Sequence, residues 1–207
     1  MALETAEIPT AAGRLLARAD LFASIAERIE RAKPRIMVFC GRGSSGHVGV
    51  YLRYLFEVRL GMLASAAAPS VVTAYRRPPD FRDALFVVVS QSGRSPDVID
   101  ATQMARKFGA LTLAIVNDEN SPAAAASELV LPIGAGAERS VAATKTVALS
   151  MIAGAQLVAA LARDDDLSGG LRNLPRRLSG ALACDWSPWA ERAAGAAAAF
   201  VVGRGYG

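Results

Sequence analysis

Short apolar runs that end abruptly in glycine- and serine-rich loops, each followed by a helix-like stretch, most narrow what this chain can form. Arg35-Ile-Met-Val-Phe-Cys40 lies between Pro34 and Gly41 and runs into Gly41-Arg-Gly-Ser-Ser-Gly46. Leu85–Val89 runs into Ser90-Gln91-Ser92-Gly93, and Leu111–Val116 and Glu128–Ile133 follow the same style. Short runs that are continuously apolar, rather than alternating, suit strands buried on both faces, as in a parallel sheet. Ser70–Ala74 reads as a weaker strand. Leu15–Ala32 carries apolar residues near helical spacing and is stopped by Pro34. Val48–Leu60, Pro96–Phe108 and Thr144–Leu161 also read as helices, and Ser121-Pro122 opens a short alanine helix. This alternation of β and α segments predicts an α/β fold with a doubly wound parallel sheet.

With 207 residues, 52% of them hydrophobic, the chain can bury a sizeable core. The formal net charge of +4 comes from scattered groups such as Arg76-Arg77, Arg106-Lys107, Arg172 and Arg176-Arg177. A nucleic-acid stripe would cluster them among aromatics, which are only 6% of the chain, so no nucleic-acid partner is expected. A mildly positive field instead favours an anionic ligand. Cys40 and Cys184 are far apart and form no CxxC pair, which argues against a disulfide framework or a metal site. Cys40, at the end of an apolar run, reads as a buried thiol. Met1–Thr10 contains acids and lacks the apolar stretch of a secretory signal. No run reaches the roughly 18 consecutive apolar residues of a membrane span, and Ser150, Gly154 and Gln156 interrupt Val147–Leu161. A cytoplasmic protein with no membrane partner is expected.

Arg163–Gly170 is a polar break, so residues 1–165 are expected to form the first domain and 166–199 a linker with helical tendency, interrupted at Ser187-Pro188. Phe200-Val-Val-Gly203-Arg-Gly205 then repeats the character of Val38-Phe-Cys-Gly41-Arg-Gly43. Residues 200–207 are therefore expected to begin a second repeat that is cut early.

Three loops carry candidate chemistry. Ser90-Gln91-Ser92-Gly93-Arg94-Ser95-Pro96 joins a strand end to a helix start, the edge where open α/β sheets bind ligands. Helix N-terminal N–H groups favour an anion there, three hydroxyls and the Gln91 amide add donors, and Gly93 allows close backbone approach. A phosphate cradle is one reading; a capped turn using Ser92 or Ser95 is the other. The first loop, Gly41–Gly46, lacks the Gly-Lys-Ser/Thr of a Walker loop. It fits G-x-G-x-x-G, but no acidic residue stands about 20 residues on, near Leu63–Ser70, as a dinucleotide site requires. The third loop, Gly134–Thr146, offers Glu138 for a sugar hydroxyl or a helix start, and Lys145 for a substrate or a structural contact.

Taken together, S-Q-S-G at Ser90–Gly93 followed by Ser95, N-x-x-x-S-P at Asn117–Pro122 and A-G-x-E-x-x-V-A-x-T-K at Ala135–Lys145 resemble the SIS (sugar isomerase) domains of amino-sugar-phosphate isomerases and deaminases. The isomerase half of glucosamine-6-phosphate synthase and stand-alone glucosamine-6-phosphate deaminases and phosphosugar isomerases share these blocks. The resemblance spans residues 1–165 and implies a flavodoxin-like three-layer αβα domain. It implies that Ser90, Gln91, Ser92 and Ser95 form a phosphate loop and that Ser44 and Ser45 supply hydroxyls from the first loop. Val141 would contact sugar through its backbone, and Glu138 matches the acidic residue of the third block. Ala143 stands where relatives often carry Ser, and Arg94 where they often carry Glu. The implied ligand is a phosphorylated amino sugar or a ketose phosphate, with no metal and no organic cofactor. The implied reaction converts glucosamine 6-phosphate to fructose 6-phosphate without a glutaminase domain. The alternative is a non-catalytic phosphosugar-binding regulatory module, disfavoured because only about 34 residues precede the first strand, too few for a helix-turn-helix module. Catalytic groups of relatives come from a second repeat and would lie beyond Gly207. His47 and Glu57 are the weak candidates here: His47 as a helix-start or pocket-wall residue, Glu57 as a structural one. SIS domains bury helical faces against a twin, so a homodimer is expected, with Val147–Leu161 as one candidate contact.

Overall fold

The computed structural model describes residues 1–206. In chain order the elements are α1 (Ala2–Ala6), α2 (Ile8–Leu16), α3 (Ala19–Ala32), β1 (Ile36–Cys40), α4 (Ser44–Leu60), β2 (Leu63–Ala66), α5 (Pro69–Thr73) and β3 (Ala84–Ser90). Then follow α6 (Pro96–Lys107), β4 (Leu111–Val116), α7 (Pro122–Ala126), β5 (Leu129–Pro132), α8 (Lys145–Ala162), α9 (Asp165–Arg172), α10 (Leu174–Leu182) and α11 (Ser187–Ala194). The five strands form one sheet in the order β2-β1-β3-β4-β5, and every neighbouring pair is parallel. This is a three-layer α/β fold of flavodoxin-like strand order.

The continuous apolar runs explain the layering, because alternate residues of each strand serve opposite faces. Met37, Phe39, Leu85, Val87, Val89, Leu113 and Ile115 face a core built with α2, α3, α4 and α8. Cys40, Phe86, Val88, Ala114 and Val116 face a second, smaller core under α6 and α7. Helix α8 is long and apolar enough to cross a membrane by length and composition, and most of it is buried within this domain. Its closest partners are α4, α3, α2 and α9. Gly154 lets α8 approach α4: a Cβ there would stand 2.0 Å from Leu52. The stretch Val147–Leu161 is thus largely consumed by its own core. The exposed apolar residues of the neighbouring α4 are Val50, Tyr54 and Val58.

The sequence expectations need correction at several places. Ser70–Ala74 is not a strand; it lies largely in α5, which Pro69 opens. The second strand is instead Leu63–Ala66, an edge strand with three of its four residues exposed, which is why it lacks the apolar signature. Leu15–Ala32 is not one helix. The chain breaks at Ala17-Arg18 (Arg18 φ −86°, ψ 47°), and the Arg18 guanidinium donates to the Pro132 carbonyl at 2.9 Å. The polar stretch after Ala162 folds as α9, capped by Asp164, whose carboxylate accepts from the Leu167 amide at 2.8 Å. Phe200–Val202, expected to be a strand, form none among the described residues and lie exposed.

Cys40 is buried, and that burial, with the nearby Asp97 charge, pushes its thiol up to about 12. Cys184 is exposed. A thiol reagent at pH 8 is therefore expected to label exposed Cys184 at once and Cys40 at least about 1000-fold more slowly, since the thiolate is the reacting form and burial also blocks access. Equal labelling rates in the folded protein would contradict the burial of Cys40.

Candidate functional site

The strand order reverses between β1 and β3: the chain goes from β1 outward to β2, then back to β3 on the other side of β1. Loops leaving the carboxyl ends of two such strands diverge and open a crevice. A cleft of about 210 Å³ lies there, lined by Arg42, Ser44, Ser45, Val89, Ser90, Gln91, Ser92, Ser95, Val98 and Ala143. Larger cavities lie elsewhere. One of about 440 Å³ borders α5 and α6, and an apolar one of about 340 Å³ lies under the β1–β2 edge. The first lies away from the carboxyl edge of the sheet and the second reaches it only at the end of β2, so the smaller, hydroxyl-rich cleft between β1 and β3 is the chemical candidate.

Both α4 and α6 begin at this cleft, and their N-terminal dipole ends favour negative charge. At α6 the residue before the helix is Ser95, whose side chain makes no capping bond. The loop is held by its other hydroxyls. Ser90 Oγ accepts from the Gly93 amide at 3.0 Å, and Ser92 Oγ from the Arg94 amide at 3.3 Å. Gly93 has φ +63°, and a Cβ on it would stand 2.1 Å from Ser121 Oγ. Its carbonyl accepts from the Ala123 amide at 3.0 Å, so the start of α7 braces the loop from behind. Ser121 is fully buried and caps α7 by accepting from the Ala124 amide.

The third loop is stapled over the same end of the sheet. Asn117 Nδ2 donates to the Gly136 carbonyl and Oδ1 accepts from the Ala135 amide, both at 2.8 Å. Gln91 Nε2 donates to the Glu138 carbonyl at 3.4 Å. The Glu138 carboxylate accepts from the amides of Thr144 (3.0 Å) and Thr146 (3.1 Å) and from both threonine hydroxyls. Burial pushes its carboxyl up, but the Thr146 and Thr144 donors together outweigh that and hold it below its ordinary value. Beneath this loop the Lys145 ammonium is buried and paired with Glu7. Glu4 accepts from the amides of Arg139 (2.6 Å) and Ser140 (3.3 Å). The Arg139 amide, then the Ser140 hydroxyl, lower the Glu4 carboxyl to about 2.

Ser44, Ser45, Ser90, Gln91, Ser92 and Ser95 therefore converge on one cleft. Glu138 and Val141 do not line it: the Glu138 carboxylate organises the start of α8, and Val141 is 96% exposed beside it. Ala143 is the third-loop residue at the cleft wall. Lys145 takes the structural option. His47 is exposed and borders a different cavity with Tyr51 and Tyr206. Glu57 pairs with Arg53 at 3.0 Å and accepts from the Ala64 amide at 3.3 Å, tying α4 to β2. Among the described residues no group of three or more His, Cys, Asp and Glu could hold a metal ion. Ser121 opens α7 as its sequence context suggested, whereas the roles of Asn117 and Arg42 were not foreseen. The signal for Arg42 was a cation between two glycines in a loop that opens a helix.

A parallel α/β domain with a hydroxyl-lined cleft at its switch point is the class that fold and site define. The chain belongs to the SIS domain family, whose model matches residues 29–160. Its relatives agree. The glutamine–fructose-6-phosphate aminotransferase (isomerizing) of Symbiobacterium thermophilum is 33% identical over 179 residues, covering 81% of this chain and 29% of that protein. A provisionally assigned phosphosugar isomerase of Silicibacter pomeroyi DSS-3 superposes with a TM-score of 0.88 at 42% identity, over 91% of this chain and 58% of that one. The NanR protein of Vibrio vulnificus, solved with ManNAc-6P, shares the fold at a TM-score of 0.63 and 21% identity, over 87% of this chain and 69% of that one. The chain thus spans less than a third of the aminotransferase and over half of the Silicibacter pomeroyi protein.

Proposed function

We propose that the switch-point cleft binds the phosphate of an amino-sugar phosphate or ketose phosphate, and that the whole protein interconverts glucosamine 6-phosphate and fructose 6-phosphate. The observation that carries this reading is the convergence of five serines and Gln91 where α4 and α6 begin. A phosphate gripped there supplies binding energy remote from the reacting carbons and orients them. The chemistry needs an open-chain sugar and a base that takes the C2 proton. Reprotonation at C1 then gives an imine, and water releases ammonia and leaves the ketose. Membership in a family with sugar isomerases supports the isomerase kind.

No carboxylate or imidazole is among the cleft's lining residues. We assign the acid–base groups to a second SIS repeat, with 1–165 as the first domain, 166–199 as linker and 200–207 as the beginning of the next. The exposed Trp186, Trp189, Phe200, Val201 and Val202 support a covering partner for this segment. The same reading makes the protein a cytoplasmic homodimer. The lack of a base in the cleft also favours a second reading, a module that binds phosphosugar to regulate. Product formation from glucosamine 6-phosphate, followed by NMR, separates the two.

Calorimetric titration with glucosamine 6-phosphate, fructose 6-phosphate and glucosamine tests the site. Only the phosphorylated sugars should bind, and Ser92→Ala should weaken them about 10-fold, the scale of a hydrogen bond to a charged group. Equal binding of glucosamine, or tight binding untouched by Ser92→Ala, would overturn the phosphate cradle.

A further inference from the structure

Among the residues lining the cleft, Arg42 is the one charged side chain. Its guanidinium is occupied: Nη1 lies 3.2 Å from Asp97 Oδ2 and 3.4 Å from Oδ1. Asp97 sits in the first turn of α6, the helix whose N-terminus faces the cleft. A carboxylate there suits the helix dipole but competes with any phosphate for the same positive end. The next cation, Arg94, is tied to Asp118 at 3.2 Å. Arg42 is 69% exposed and sits between Gly41 and Gly43, the latter at φ +54° with open space around it. An exposed pair of this kind contributes little to stability, so its exchange is cheap. A planar guanidinium presents a fork of donors that fits carboxylate and phosphate alike, so it can pass from one to the other.

We propose that Arg42 is the phosphate-binding cation of this cleft, held by Asp97 when the cleft is empty and transferred to the phosphoryl group of the incoming ligand. The ligand class is a dianionic sugar phosphomonoester, and the inference rests on the cleft being a phosphosugar site. Asp97 then acts as an internal competitor that sets the affinity. Binding strength depends on two opposing single residues rather than on the serines alone.

Titration of the full chain with fructose 6-phosphate at two salt concentrations, using Arg42→Gln, Asp97→Asn and Ser92→Ala beside the wild type, tests this. Arg42→Gln should fold normally, weaken binding about 10- to 100-fold and flatten its salt dependence. Asp97→Asn should tighten binding a few-fold while Arg42 is present and clearly less in the Arg42→Gln background, where only the relief of its repulsion at the start of α6 remains; an equal gain in both backgrounds would overturn the exchange. If the wild type binds and Ser92→Ala weakens it, but Arg42→Gln does not, the cleft stands and the role of Arg42 falls. If the wild type binds no phosphosugar, the cleft assignment itself falls and takes this inference with it.

Discussion

Gly93→Ala is expected to destabilise the protein by about 3 kcal/mol and to abolish phosphosugar binding. Two costs add. An alanine at the φ of +63° that Gly93 adopts pays roughly 1–2 kcal/mol for the left-handed conformation. The new methyl would also meet Ser121 Oγ at 2.1 Å and its Cβ at 2.4 Å, and Ser121 is fully buried with no room to retreat. Overpacking of that kind costs about 1–3 kcal/mol. In a chain of this size the melting temperature should fall by roughly 6–12 °C. The binding loss follows because the loop that carries Ser90, Ser92 and Ser95 must move to relieve the contact. An unchanged melting curve with unchanged affinity would mean that the loop does not pack on α7.

The second large effect comes from the opposite side of the site. Lys145 is 2% exposed, and Glu7, at 56%, is its carboxylate partner. Glu7→Ala removes the partner and leaves a buried ammonium, with an expected loss of about 2–4 kcal/mol, below a fully buried pair because Glu7 is half in solvent. Lys145→Met in the same background should restore most of it, since a long apolar chain fills the space without a charge. Denaturant unfolding of the two variants decides the matter. If Glu7→Ala alone is as stable as the wild type, the lysine has another partner in solution.

How far the sequence reached can be judged element by element. The runs at β3 and β4 were legible because a strand buried on both faces leaves few polar positions to confuse it, and those at β1 and β5 because even their half-buried positions are apolar. The edge strand β2 was not, since Leu63-Ala-Ser-Ala66 owes its state to pairing with β1 rather than to its own residues. The serine loops were legible as chemistry because hydroxyls and glycine stood together at a strand-to-helix junction. Glu138 shows the reverse. Its distance from a helix start allowed either a sugar contact or a helix contact, and only the positions of Thr144 and Thr146 decide for the helix. The partners of Lys145 and of the Arg139 amide lie more than a hundred residues away at Glu7 and Glu4, so no local pattern reveals them.

Those two glutamates also bear on where the working unit begins. The family match starts at residue 29, yet α1 and the start of α2 hold the loop at 139–145. A fragment cut at that point would keep every strand and every cleft serine and still lose the clamps on its third loop. A graft of residues 134–146 of this chain into another scaffold must therefore carry Glu4 and Glu7 with it. The loop and the leading turns work as one part, though the chain writes them at opposite ends of the domain.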